Sequence, residues 1–321
     1  MNVTRTNFFT TKPVEWIRAN INLMILLLMI ALGSLISEQF LTLSNWQNIL
    51  RQVAINGIMA AGVTSVFLAG GFDLSIGATL SLCGCLAVGL QATLPMGFAV
   101  SIALVVGAFI GFLNGQLIKI TRGDLSETFL ITLGVSLLVT SIALTYTNGQ
   151  SLFTERGSAY SYWGQGKISG VPFSALIFIL ILIILEIVLK KTQFGRKIYL
   201  TGGNKVAAYL SGINTNRIKS STFVIAGICA ALAGIVMSSR TTAAIYSMGN
   251  GYDFDACIAV LIGGNVLGGG KGGMIQTFIG VMIFGLISNV LNLATITPVV
   301  QIILKGVILL LAVLLNGIKR K

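Results

Sequence analysis

Apolar residues in this chain neither alternate nor follow one helical stripe. They come in long runs parted by short polar pieces, near 21–37, 50–70, 75–94, 96–118, 126–147, 172–189, 218–238, 253–268, 274–294 and 299–317. A helix needs about 20 apolar residues to cross about 30 Å of hydrocarbon. The pattern therefore predicts an all-α, polytopic transmembrane helix bundle of about ten spans. Glycine interrupts the runs at 50–70 and 253–268, so either is expected to be re-entrant or broken. Val66–Gly77 (VFLAGGFDLSIG) laid on Ala259–Gly270 (AVLIGGNVLGGG) agrees at five of twelve positions, which suggests two weakly similar halves.

Two stretches look soluble. Asn148–Val171 carries Tyr160, Tyr162 and Trp163, aromatics suited to a membrane interface. Lys190–Lys219 contains no acid, and its Asn204–Leu210 piece (NKVAAYL) lies between Gly202-Gly203 and Ser211-Gly212, which predicts a short helix closed by a glycine.

Composition removes whole function classes. The 321 residues are 55% hydrophobic and 9% charged, with a mean hydropathy of +0.92. A soluble domain carries about 25% charged residues, so a water-soluble enzyme is excluded. The net charge of +12 would suggest nucleic acid in a soluble protein, but the position of the charges argues otherwise. With the amino terminus inside, sixteen of the 21 basic residues fall in predicted cytoplasmic pieces, among them Arg122. Four (Arg51, Arg156, Lys167 and Arg240) fall outside, and Lys305 lies within the last span. No nucleic-acid partner is expected, and an even count puts both termini in the cytoplasm. The expected organisation is a cytoplasmic segment 1–20, one transmembrane domain 21–318 with its main cytoplasmic connection at 190–219, and a basic tail 319–321. The first apolar run is read as a retained helix rather than a signal peptide. Without histidine, and with all four cysteines in or beside apolar runs, no metal site or disulfide is expected.

The run Gly263–Gly273 (GGNVLGGGKGG) fails the phosphate-loop pattern twice, at Asn265 and at Gly272, so ATP and its magnesium are expected on another chain and none is bound as a cofactor here. Asp73, Asp124, Glu127, Asp253 and Asp255 fall near predicted helix ends, and Glu186 is spaced to pair with Lys190. Lys305 marks function, snorkels to the inner face, or forms a structural ion pair. Thr128, Thr132, Ser136 and Thr140 share one helix face, and Asn289 and Asn292 share another. Thr132, Ser136, Thr140, Asn289 and Asn292 are candidates to line a path for a hydroxylated cargo. The alternative is that the hydroxyls bond their own helices or hold helices together.

Four motifs now carry a resemblance. In order and spacing, Gly70-Gly71-Phe72-Asp73-Leu74-Ser75-Ile76-Gly77, Thr128–Gly134, Gly202-Gly203-Asn204 leading to Leu210-Ser211-Gly212-Ile213, and Gly263-Gly264 through Gly273 resemble the permease subunits of ribose-type sugar ABC importers. The resemblance covers nearly the whole chain. It implies a homodimer of permease chains in a bacterial inner membrane, a cytoplasmic ATPase that drives it and a periplasmic sugar-binding protein that loads it. It also implies that Gly202, Gly203, Asn204, Lys205, Ala207, Leu210, Ser211 and Gly212 couple the chain to the ATPase. There are departures. Lys205-Val206-Ala207 stands where Glu-Ala-Ala is common, Tyr209 stands where an Arg shortly precedes the Leu-Ser-Gly, and Leu125-Ser126-Glu127 stands where a proline is usual.

The expected function is inward translocation of a pentose, hexose or related polyol by alternating access, with no catalysis by this chain. The rivals are an ABC permease for amino acids, nucleosides or a furanosyl signal, and an ion-coupled carrier.

Overall fold

The computed structural model describes residues 13–121 and 123–318, so residues 1–12 of the expected amino-terminal segment, Arg122 and the tail 319–321 lie outside the described residues. The fold is all-α and polytopic. In chain order its helices are α1 (Pro13–Ile36), α2 (Leu43–Leu68), α3 (Ile76–Gly89, continued by a 3-10 turn to Ala92), α4 (Met96–Thr121), α5 (Leu125–Thr147), the single turn α6 (Tyr162–Gln165), α7 (Phe173–Lys191), α8 (Gln193–Gly203), α9 (Lys205–Leu210), α10 (Thr215–Thr241), α11 (Tyr252–Ile262), α12 (Met274–Leu293) and α13 (Pro298–Ile318). Two-residue strands β1 (Leu152–Phe153), β2 (Lys167–Ile168), β3 (Val171–Pro172) and β4 (Ala243–Ala244) form two antiparallel pairs, β1 with β4 and β2 with β3.

Among the described residues, α2, α4, α5, α7, α10 and α12 are long and apolar enough to cross a membrane, and shorter apolar helices cover Met24–Ile36, Ile76–Ala92 and Pro298–Leu310. The run at 50–70 is not broken. It forms an unbroken 26-residue helix whose core-facing residues include Asn56, Gly57, Gly62 and Thr64. The run at 253–268 does break: α11 has 11 residues and so rises only about 16 Å, roughly half the hydrocarbon thickness.

The centre of the bundle is α2 and α10, most of whose residues are buried, whereas α4, α5 and α7 turn apolar side chains such as Phe109, Leu137 and Leu180 outward. Small residues let these helices touch by their backbones, as where Gly107 of α4 meets Gly227 of α10.

The pieces assigned to one side by their charge do come together. At the lysine-rich end, Lys205 meets Asp124 at 3.1 Å and Lys219 donates to the Gly123 carbonyl at 2.9 Å. At the opposite, aromatic end, Lys167 donates to Gln47 at 2.6 Å and Arg240 to Asn48 at 3.1 Å. Tyr160, expected at the interface, is instead fully buried, with its hydroxyl against Ser238 and the Ile235 carbonyl. Burial pushes its phenol up from the ordinary range, so it remains a neutral hydrogen-bonding group. Trp163 stacks edge-on against Phe173, and Tyr162 keeps the exposed position expected of it.

Candidate functional site

The repeated glycine motif is a repeated way of ending a helix. At the end of α2 the Gly70 amide donates to the Phe67 carbonyl and the Gly71 amide to Val66, with Gly70 at φ +76°. At the end of α11 the Gly264 amide donates to Leu261 and the Asn265 amide to Val260, with Gly264 at φ +100°. Both are Schellman closures that need a residue tolerating positive φ. The structural equivalence therefore pairs Gly70 with Gly264, one residue off the alignment of the sequences, which pairs it with Gly263.

The two closures meet at the lysine-rich end. The Gly270 amide donates to the Leu68 carbonyl at 3.1 Å, and Gly268 lies against Gly70. The end of α8 is wedged between them: a Cβ on Gly202 would overlap the Leu68 carbonyl oxygen and come within 2.9 Å of the Gly269 Cα. A Cβ on Gly203 would sit 4.0 Å from the Gly270 Cα, a looser fit. Gly70, Gly202, Gly203 and Gly268 line a cleft of about 220 Å³ together with Asn204, Lys205 and Lys219.

From this junction the chain enters α9 directly. The Asn204 side chain accepts from the Ala207 amide at 2.9 Å and starts the helix. Gly212 at φ +78° closes it, with its amide donating to Tyr209 and the Ile213 amide to Ala208. Ala208 packs inward, while Val206, Tyr209 and Leu210 are 68%, 70% and 79% exposed. Three apolar side chains therefore stand exposed together at the lysine-rich end. Lys205 bonds Asp124, and Glu127 reaches back to accept from the Asp124 amide at 2.8 Å, which starts α5.

The run Gly263–Gly273 is organised by Asn265, which is wholly buried: its oxygen accepts from the Gly273 amide, and its amide donates to Val260 and to Thr277, itself bonded to Thr64. Glu186, expected to pair with Lys190, instead accepts from the Met274 amide at 3.1 Å at the start of α12, while Lys190 lies over the Tyr199 ring. A helix start leaves amides that a carboxylate satisfies better than an exposed lysine satisfies the carboxylate.

Between α2 and α3 the chain runs extended and is held by side chains. Asp73 accepts from the Ser75 amide and hydroxyl at 2.8 and 2.7 Å, and Asn114 donates to the Ser75 hydroxyl. Thr128 accepts from the Phe72 amide and Thr132 from the Leu74 amide, each at 3.1 Å.

Residues 45–313 match the family described as branched-chain amino acid transport system, permease component. The chain belongs to this permease family. It is 39% identical to ribose import permease protein RbsC of Escherichia coli over 311 residues, 95% of each chain. It is also 39% identical to the protein of that name from Bacillus subtilis over 91% of this chain and 90% of the relative, and 36% identical to that from Haemophilus influenzae over 91% of each. Membership makes the chain a multi-pass membrane protein and a transport component rather than an enzyme.

The structure distributes the permease's candidate path residues among three settings. Thr132 is wholly buried and serves the 71–75 segment, while Ser136 and Thr140 are half-buried farther along α5. Asn289 exchanges two hydrogen bonds with Asn45, at 3.1 and 2.8 Å, and Asn292 accepts from Gln301. Lys305 bonds Asp255 at 2.7 Å and lies over the Phe284 ring, which is the structural ion pair among the three expectations. Asn265, Asn114 and Glu186 were invisible as site residues in the sequence. The signal that marks them is a lone polar side chain within or beside an apolar run.

Proposed function

We propose that this permease is the membrane subunit of an ATP-binding-cassette importer that moves a neutral sugar of the ribose class inward by alternating access. It works as a homodimer in a bacterial inner membrane, driven by a cytoplasmic ATPase that binds ATP and magnesium and loaded by a periplasmic binding protein. The three relatives all carry ribose import in their names. A cargo with a carboxylate would call for a cation, and the intramembrane lysine is already engaged by Asp255. The transmembrane domain 21–318 crosses ten times with both termini cytoplasmic, α3 and α11 each completing a crossing through an adjoining extended segment.

The observation that carries the reading is the exposed face of α9, joined through Gly202 to both glycine closures. Gly202–Gly212 is the coupling element: Val206, Tyr209 and Leu210 enter an apolar groove of the ATPase, and Gly202 passes the motion to α2 and α11 together. Nucleotide and loaded binding protein shift the balance of outward-open and inward-open states by their different affinities for the two. Proteoliposomes holding the permease, the ATPase and the binding protein test this by uptake of labelled ribose. Uptake that needs ATP, and that Leu210→Asp abolishes along with co-purification of the ATPase, supports the reading. Uptake without the ATPase that collapses with an ion gradient overturns it.

A further inference from the structure

Helix α3 and the segment leading into the half-length α11 meet inside the bundle. Ser81 of α3 accepts from the Gly249 amide at 2.9 Å, and a Cβ on Gly77 would sit 2.7 Å from the Gly249 carbonyl oxygen. Two rulers give the depth. Ser81 lies eleven residues from the end of its helical turn at Ala92, about 16 Å below the aromatic end at helical rise. Asp255 pairs with Lys305, seven residues into α13, about 10 Å below the same end. Residues 249–255 therefore lie about 10–16 Å below the aromatic ends of α3 and α13.

At that depth Asn250 and Gly251 are exposed, Phe254 is 44% exposed and Asp253 is half-buried. The Asn250 backbone amide donates to the Ser247 carbonyl, but its side-chain amide has no hydrogen-bond partner among the described residues, and Asp253 accepts from nearby backbone amides, that of Phe254 at 3.0 Å, with no cation beside it among the described residues. The exposed hydroxyls of α5 are different: Ser141 and Thr145 donate to their own helix, at 2.9 Å each, and can face lipid. An asparagine amide and a carboxylate without a cation cannot be left in hydrocarbon. Their surroundings must be polar rather than lipid when the transporter works.

We infer that Asn250 and Asp253 line the permease's aqueous path near the membrane midplane and bind the hydroxyl groups of a neutral polyol, with Asp253 also repelling anionic cargo. The chemistry fits. A carboxylate oxygen accepts from hydroxyl donors, and an amide both donates and accepts, so the two recognise adjacent hydroxyls without needing a charge on the cargo. Asp255, two residues on, is neutralised by Lys305, which leaves Asp253 as the charge presented at this level. The inference rests on the proposed sugar-import reading for its cargo but not for its wet face.

The test has two arms. The four native cysteines are buried, so N250C can be labelled with a membrane-impermeant maleimide in vesicles of the complete assembly, with L180C on the outward face of α7 as a lipid-facing control. The expected result is labelling of N250C but not L180C, from opposite sides of the membrane in nucleotide-free and vanadate-trapped states. An N250C that labels only after denaturation places that face against lipid or a second copy and overturns the inference. In the second arm, D253N and N250A are expected to raise the half-saturating ribose concentration for uptake at least tenfold more than they lower the maximal rate. Unchanged half-saturation in both overturns hydroxyl binding. If the wild-type assembly takes up no ribose at all, the sugar reading has failed, and labelling still decides the wet face.

Discussion

The two ends of the permease are built from opposite materials. At the lysine-rich end the central joint is backbone on backbone: Gly202 of α8 and Gly270 bring two further chain segments against the Leu68 carbonyl, with side-chain bonds such as Lys219 to Gly123 around it. The aromatic end is held by side chains, with Tyr160 on Ser238, Ser239 bridging the Tyr160 carbonyl and the Gly164 amide, and Trp163 on Phe173. Side chains hop between rotamers and absorb small displacements, whereas touching backbones move together. The first arrangement fits the coupling role proposed for α9, the second a fixed cap.

Four substitutions sharpen or break this contrast. Gly202→Val should have the largest effect, because the new side chain meets the Leu68 carbonyl and Gly269 backbone, which cannot yield. ATP-dependent uptake is expected to fall at least a hundredfold while the ATPase still co-purifies. Near-normal uptake would mean that the junction does not transmit. Lys305→Met strands Asp255 and should cost about 3 kcal/mol in detergent unfolding, with Asp255→Asn added to it restoring most of the loss. Tyr160→Phe removes one buried hydroxyl pair from the aromatic cap and should cost about 1 kcal/mol with transport intact, so loss of transport at full stability would give the cap an active role. Lys205→Ala breaks an ion pair whose partners are 40% and 79% exposed and should change stability by less than about 1 kcal/mol. A large fall in ATPase binding from that change would make charge, rather than the apolar face of α9, the basis of docking.

Much of the fold was legible. The ten apolar runs each contain a helix, and Asn204 and Gly212 bound α9 where the capping residues put it. The breaks were less legible. Hydropathy counts apolar residues but does not tell which of them are helical, so 50–70 and 253–268 looked alike although one is an intact helix and the other a half-length one. The glycines of α2 serve close packing, as where Gly62 meets the Ala226 backbone, while those after α11 serve a turn. The repeat was visible but its register was not, because a run of glycines aligns equally well one residue along.

Site residues divide in the same way. Local chemistry, such as a cap or a closing glycine, involves neighbours in sequence and can be read there. The partners of Thr128 and Thr132 lie 56 and 58 residues away, that of Glu186 88 and that of Lys305 50. No spacing rule reaches so far, and the Glu186–Lys190 pair expected from helical spacing gave way to a helix start brought in by folding.

By itself, then, the sequence determined that the chain lives in a membrane, which pieces share a side, and which motifs place it among the permeases, because solvent preference, charge placement and local capping act over a few residues. Only the tertiary structure decided which runs are half-crossings, that Gly70, Gly202 and Gly268 form one joint, and that Asn250 is exposed at depth, because those depend on backbones distant in sequence being packed into contact.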